Sequence, residues 1–320
     1  MNNKEVEEEF VRNCLLIKQF CVISEVCDSY KIIPMKGISL LFTIYKDDYY
    51  RNIADIDIFI PENQAENFIK KVKSLGYSLR SGKMTKQRLD AKGKFDMINH
   101  RRLSDLDVHT DLITKKFFRM TTNNFTSSAM SRLYSIKHSN IEIPLLSPVY
   151  EWLFLAQHYC FHFFSNEKWL RDLYLLQLDF SENDITELAS LAKKHNFERV
   201  VCATHRYLTH KYPANEIKIP ATITKKNFLF DILFRNFNNQ ITHSISDRII
   251  AAYWEFLFID QPKPRIKSYL RLMFPDYSLF CCIYNTSSRL ALFLLYPAHI
   301  IITIISSMLF MPLVIQKYRL

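Results

Sequence analysis

At 320 residues the chain has room for two domains, or one large one with an appendage, and its 48% hydrophobic and 23% charged content is a globular balance, not that of a disordered chain. Four glycines leave no Gly-rich phosphate loop, and seven cysteines without a Cys-x-x-Cys pair argue against a disulfide framework and against a zinc site. A net charge of +10 favours an anionic partner (nucleotide, nucleic acid or membrane surface) without choosing among them, and an N-terminus of Asn, Lys and Glu without an apolar signal core implies a cytoplasmic, reducing setting for the main body.

Residues 5–30 place Phe10, Cys14, Ile17, Cys21 and Val22 at helical spacing, which predicts an amphipathic helix in one piece or two. Glu5, Glu7, Glu8 and Glu9 crowd its start, where the positive end of a helix dipole favours acids, so their expected role is structural. A short strand at Ile32-Ile33 runs into Pro34-Met35-Lys36-Gly37-Ile38-Ser39, after which Leu40, Leu41, Ile44 and Tyr45 read as a helix. Gly37 thus falls at a strand-to-helix turn, a place where exposed N–H groups can hold a phosphate.

Arg51 precedes the run Ile53-Ala54-Asp55-Ile56-Asp57-Ile58-Phe59-Ile60, a strand that Pro61 stops. Two carboxylates two positions apart on a strand project from one face, and both stay ionised most readily around a bound cation. Oxygen ligands on a rigid strand suit Mg²⁺, which takes one or two carboxylates together with substrate phosphates. The alternative is a strand with a solvated acidic face. Residues 65–75 form a helix capped by Gly76, and Tyr77-Ser78-Leu79 opens a polar, lysine-rich excursion read as a loop. Residues 95–100 and 105–112 read as adjacent strands joined by a turn at Arg101-Arg102-Leu103-Ser104. The alternation Leu106-Asp107-Val108-His109 sets Asp105, Asp107 and His109 on one face, so a third acid is available.

From Ser147-Pro148 onward the chain is helical, with segments expected at 149–164, 169–178, 184–195, 199–210, 227–237 and 245–258. His158 and His162 stand one helical turn apart, the separation zinc-binding helices use, yet no acidic or sulfur partner lies near; lining a cleft or packing in the core are the alternatives. Asp172 is a cleft residue or an interhelical hydrogen-bond partner. Between Arg289 and Lys317 no side chain is charged apart from a titrating His299, and an uncharged stretch longer than about 20 residues is a transmembrane candidate. Pro297, Pro312 and Ser306-Ser307 weaken that signal, and a buried C-terminal hairpin is the competing reading. The expected organisation is an α+β domain at 1–145, a helical domain at 146–278 and a hydrophobic tail at 279–320.

Taken together, Lys36-Gly37, Arg51 with Asp55-Ile56-Asp57, and Asp107-Val108-His109 resemble the DNA polymerase β-like nucleotidyltransferase superfamily, and most closely a bacterial branch of nucleotidyltransferases within it. His158, His162 and Trp169-Leu170-Arg171-Asp172 resemble the helical half of that branch, so the resemblance spans roughly residues 32–212. The superfamily's usual Gly-Ser pair is here Lys-Gly-Ile-Ser. The resemblance implies a mixed sheet with flanking helices followed by a helical domain. It implies two-metal catalysis, with Asp55 and Asp57 binding two Mg²⁺ ions that carry the triphosphate and Asp107 completing the metal site and placed to take a proton from the attacking hydroxyl. Lys36, Gly37, Ser39 and Arg51 would contact the phosphates, with a bracing salt bridge the other reading for Arg51, and His109 would orient Asp107 or touch the acceptor. The expected reaction moves a nucleoside monophosphate from an NTP, with ATP the expected donor, to a hydroxyl on a small molecule, a protein or an RNA end. A non-catalytic nucleotide-binding protein and a membrane-anchored scaffold are the readings from other classes.

Overall fold

The computed structural model describes residues 3–27, 31–46, 51–80, 93–100, 104–114, 119, 121–122, 124–162, 164–219, 258–260 and, intermittently, 266–305. The chain divides into two compact units, one of residues 1–114 with 124–151, the other of residues 115–123 with 152–320.

In the first unit a 24-residue helix, α1 (Asn3–Val26), leads into β1 (Ile33–Pro34) and the short α2 (Lys36–Leu41). There follow β2 (Ile56–Phe59), α3 (Ala65–Val72), β3 (Tyr77–Leu79), β4 (Lys94–Asn99) and β5 (Leu106–His109). The five strands form one mixed sheet in the order β1-β2-β5-β4-β3, in which only β2 and β5 run parallel. The expected α+β architecture, a mixed sheet with flanking helices and then helices, is what the chain adopts.

That central pair decides everything downstream. Ile56, Ile58, Leu106 and Val108 are almost wholly buried apolar residues on one face of the two strands. The opposite face carries Asp57 and Phe59 on β2 beside Asp107 and His109 on β5. Register partners on adjacent strands share a face, so Asp57 opposite Asp107 brings together carboxylates fifty residues apart in sequence. β4 adds Lys94 opposite His109.

α1 is one continuous helix, and the face it buries differs from the expected one. Leu16, Ile17, Phe20 and Ile23 are in the core, whereas Phe10 and Val22 are exposed and Cys14 and Cys21 half-buried. α3 is amphipathic as expected, burying Ala65, Phe68, Ile69 and Val72 at i, i+3, i+4 and i+7. A 3₁₀ turn follows it, and Gly76 at φ 91° closes that turn in the left-handed conformation glycine adopts without strain. Tyr77–Leu79, expected to open a loop, is instead an edge strand: it pairs antiparallel with β4, and Tyr77 is buried. The lysine-rich excursion at 81–92 and most of the turn expected at 101–104 lie outside the described residues. The sequence reading also missed α4 (Phe125–Met130) and the hairpin of β6 (Leu133–His138) and β7 (Ile141–Leu146). Ser139, at φ 53°, and Asn140 make its two-residue turn.

α5 (Pro148–Phe161) starts at the expected Ser147-Pro148 signal. In the second unit follow α6 (Glu167–Leu178), α7 (Glu182–Lys194) and α8 (Glu198–Lys211). Asn166 caps α6, and Ser181 with Asp184 forms a reciprocal capping box on α7. The fully buried Trp152 donates from Nε1 to Leu173 O at 3.1 Å, which satisfies the one polar atom that side chain takes into the core. Two carbonyls of a short early segment are held the same way: Asn196 Nδ2 donates to Thr121 O at 2.6 Å, and His195 Nδ1 lies 3.1 Å from Thr122 O. The helices expected at 227–237 and 245–257 lie outside the described residues, while Phe258 is buried. Among the described residues no helix is long and apolar enough to cross a membrane.

Candidate active site

The polar face of the β2–β5 pair is the centre of the site. One ligand atom from each of Asp57, Asp107 and His109 lies within 4.8 Å of the other two. His109 Nε2 is 3.4 Å from both Asp57 Oδ1 and Asp107 Oδ2. Lys36 enters from the β1–α2 turn, its Nζ 2.5 Å from Asp57 Oδ1, 3.6 Å from Asp107 Oδ2 and 3.3 Å from His109 Nε2. Lys94, from β4, donates to Asp107 Oδ2 at 2.7 Å. Lys36, Asp57, Asp107 and His109 are all buried, so their charges act on one another with little screening by water.

The backbone at the turn aims Lys36 inward. Met35 is extended and donates its N–H to Asp57 O at 3.0 Å, tying the end of β1 to the acid strand. Lys36 itself has φ 50°, a left-handed conformation that costs a non-glycine residue about 1–2 kcal/mol. The ion pairs at its tip offset that cost. Gly37 is needed for a different reason: a Cβ there would stand 2.5 Å from Arg51 Nη1 and 3.0 Å from Ile53 Cγ1, so the guanidinium lies directly against the glycine. Arg51 is buried, and its carbonyl accepts from Asn13 Nδ2 at 2.8 Å. Ser39 Oγ sits 2.9 Å from Lys36 O and 2.7 Å from Glu151 Oε1, so its one proton is engaged inside the protein.

The electrostatics follow from these contacts. Burial pulls the Lys36 ammonium down, but Asp57 and Asp107 outweigh it and hold the group above the usual lysine range. Burial pushes Asp107 up, and His109, Lys36 and Lys94 together overcome it, leaving the carboxyl well below the carboxylate range. Asp55, one residue before β2 and half-buried, is pushed up by burial and by Asp57, against the pull of Lys36. It feels the cluster's charges without belonging to the group of three. Asp105, the rival third acid, is turned away: it pairs with Arg80 at 2.6 Å and accepts from Asn99 N–H at 3.1 Å.

The donor set suits a divalent cation. Asp107 Oδ1 is buried and accepts no hydrogen bond from the described residues, an orphaned acceptor of the kind a metal satisfies. Two carboxylates fit Mg²⁺ or Mn²⁺. In the second unit, the rings of His158 and His162 pack 4.4 Å apart and both lie against Trp169, at 4.5 and 5.0 Å. Among the described residues this pair belongs to no group of three or more metal-ligating side chains. Asp172 is completely buried on α6.

Sequence reasoning missed Lys94 and Glu151. Lys94 becomes visible only when β4 is paired with β5, which no local pattern reveals. Glu151 left a signal, being the single acid in the apolar run 149–164.

No functionally curated protein matches the chain. A sequence profile described as "Uncharacterised nucleotidyltransferase" matches residues 12–213, from α1 through α8 and so including every site residue above. The chain belongs to this nucleotidyltransferase family.

Proposed function

We propose that the protein transfers a nucleoside monophosphate from an NTP, with ATP the expected donor, to a hydroxyl acceptor, and that Asp55, Asp57 and Asp107 hold the Mg²⁺ this requires. The observation that carries the reading is the register of β2 against β5, which sets Asp57, Asp107 and His109 within one ion's reach on a buried face. Mg²⁺ bound there would neutralise the triphosphate and the charge that develops at the α-phosphorus. The acceptor oxygen forms its bond to that phosphorus as the bond to the β-phosphate oxygen breaks, and pyrophosphate leaves. Lys36, once freed from Asp57, is a cation at the mouth of the same cluster, and Arg51 against Gly37 is a second; both serve the phosphates. His109 orients the two carboxylates. Asp107 would also take the proton of the acceptor hydroxyl as the new bond forms. Residues 1–145 would form the catalytic domain, 146–278 the helical domain and 279–320 the tail. We also infer that the tail attaches to a membrane, a reading independent of the catalytic one.

The test is mass spectrometry of small-molecule, protein and RNA acceptor pools incubated with labelled NTP and Mg²⁺. Asp57→Asn should cost at least about 10² in turnover while leaving the fold intact. Equal labelling by that variant would end the catalytic reading. The second reading, a non-catalytic nucleotide-binding protein, draws on Lys36: an ammonium 2.5 Å from Asp57 already neutralises the acid a metal would need. Calorimetry with Mg²⁺ and NTP separates the two. Heat from NTP alone, unchanged by Mg²⁺, would favour the second.

A further inference from the structure

The C-terminal part of the second unit contains a helix of inverted polarity. Its backbone is helical at 289–290, 293–301 and 303–305. Leu290, Phe293 and Leu294 are 71%, 76% and 67% exposed, and Ile301 and Ile305 are also turned to solvent. These positions, i, i+3, i+4, i+11 and i+15, lie along one face. The buried side holds the polar residues instead, with Thr303 Oγ1 3.5 Å from His299 Nε2. In a second segment of the same unit Ile266, Leu270, Phe274 and Tyr277 are exposed as well.

Exposed apolar faces of this extent mark contact with lipid or protein. The charge around them chooses. Residues 261–320 contain seven Lys and Arg against a single acid, Asp276. A second copy would bring the same positive charge against itself, whereas an anionic lipid surface complements it. Among the described residues no helix is long and apolar enough to cross a bilayer. A helix with one apolar face that does not span lies in the interfacial plane. We propose that these two segments attach the protein to an anionic membrane surface in plane, with Phe293, Leu294 and Ile301 below the headgroups and Arg271 and Arg289 among them. This rests on the attachment inferred above and on nothing in the catalytic reading.

The experiment is flotation of the full-length protein with vesicles of phosphatidylcholine alone or mixed with phosphatidylglycerol. Depth is then read in a Phe293→Trp variant, against the fluorescence of the parent protein, by quenching from lipids brominated near the headgroup or near the bilayer centre. Binding should require phosphatidylglycerol, weaken roughly fivefold in Arg271→Ala, disappear in the exposed double variant Phe293→Glu, Leu294→Glu, and show shallow quenching. No binding to either vesicle overturns the attachment itself. Equal binding to both lipids overturns the anionic preference alone, and quenching from the bilayer centre overturns the in-plane mode alone. A lipid-free dimer that the double variant dissolves, seen by sedimentation, would make the face a protein interface and overturn the proposal.

Discussion

Replacing Lys36 by Met keeps a side chain of similar reach and the same non-glycine backbone at φ 50°, and removes only the charge. Asp107 would retain Lys94 at 2.7 Å, but Asp57 would be left with His109 Nε2 at 3.4 Å as its nearest polar partner in the cluster. Breaking a buried ion pair from one side costs about 3–5 kcal/mol, and because Lys94 still serves Asp107 the lower end, about 3 kcal/mol, is expected. For a unit of this size that is a fall of roughly 10 °C in melting temperature. The measurement is thermal and urea unfolding of both proteins in EDTA, repeated in millimolar Mg²⁺. The cation should restore most of the loss in the variant and stabilise the parent protein less, because there it must first displace an ammonium. A variant as stable as its parent in EDTA would refute the counter-ion role of Lys36. Equal stabilisation of both by Mg²⁺ would refute the shared position of lysine and metal.

Gly37→Ala pushes a methyl group to within 2.5 Å of Arg51 Nη1, so the guanidinium must move; loss of one charged phosphate contact should weaken NTP binding about tenfold or more by calorimetry, and an unchanged Kd would remove Arg51 from the site. Ser181→Ala breaks the capping box of α7 and should cost about 1 kcal/mol in urea unfolding. Asp260 accepts from the N–H groups of Glu198 and Arg199 at 2.8 and 2.9 Å, capping α8, yet burial outweighs those bonds and lifts its carboxyl to about 6. A carboxyl raised in the folded state binds more protons there than in the unfolded chain. Its contribution to stability therefore falls as pH rises from about 4 to 6, by about 3 kcal/mol, and comparing urea midpoints of the parent protein and Asp260→Asn across that window should show the steeper fall in the parent.

How far the sequence carried these conclusions depended on the range of the information. Alternation inside two short runs was enough to set Asp57 on one strand face and Asp107 with His109 on another, because a period of two is local. That the two strands pair in parallel, in this register, is a matter of tertiary packing. The choice of Asp107 over Asp105 shows the same limit: both share the alternation, the resemblance favours Asp107 by its spacing to His109, and the structure separates them physically by engaging Asp105 with Arg80 and Asn99. Lys36 was legible as a cation at a turn, while its inward aim rests on a backbone conformation that lysine rarely adopts. α1 was legible as a helix, but Val11, Leu15, Leu16, Phe20, Val22 and Ile23 distribute apolar residues around it, so periodicity could not name the buried side. The β6–β7 hairpin escaped notice because its strands mix Ser, Lys, His and Glu with a proline, Pro144, and lack the Asn-Gly type of turn.

The two carbonyls held by His195 and Asn196 have a consequence for the order in which the protein is made. Thr121 and Thr122 leave the ribosome 75 and 73 residues ahead of the side chains that satisfy them. At about 5–20 residues per second that is roughly 4–15 s during which the first unit can complete its sheet while this segment, buried in the finished protein, waits for α7. The second unit is thus begun before α4 and the β6–β7 hairpin are made and sealed only after α7 has been synthesised. A nascent chain stalled near residue 190 should carry a protected five-stranded sheet together with Thr121 and Thr122 still open to proteolysis.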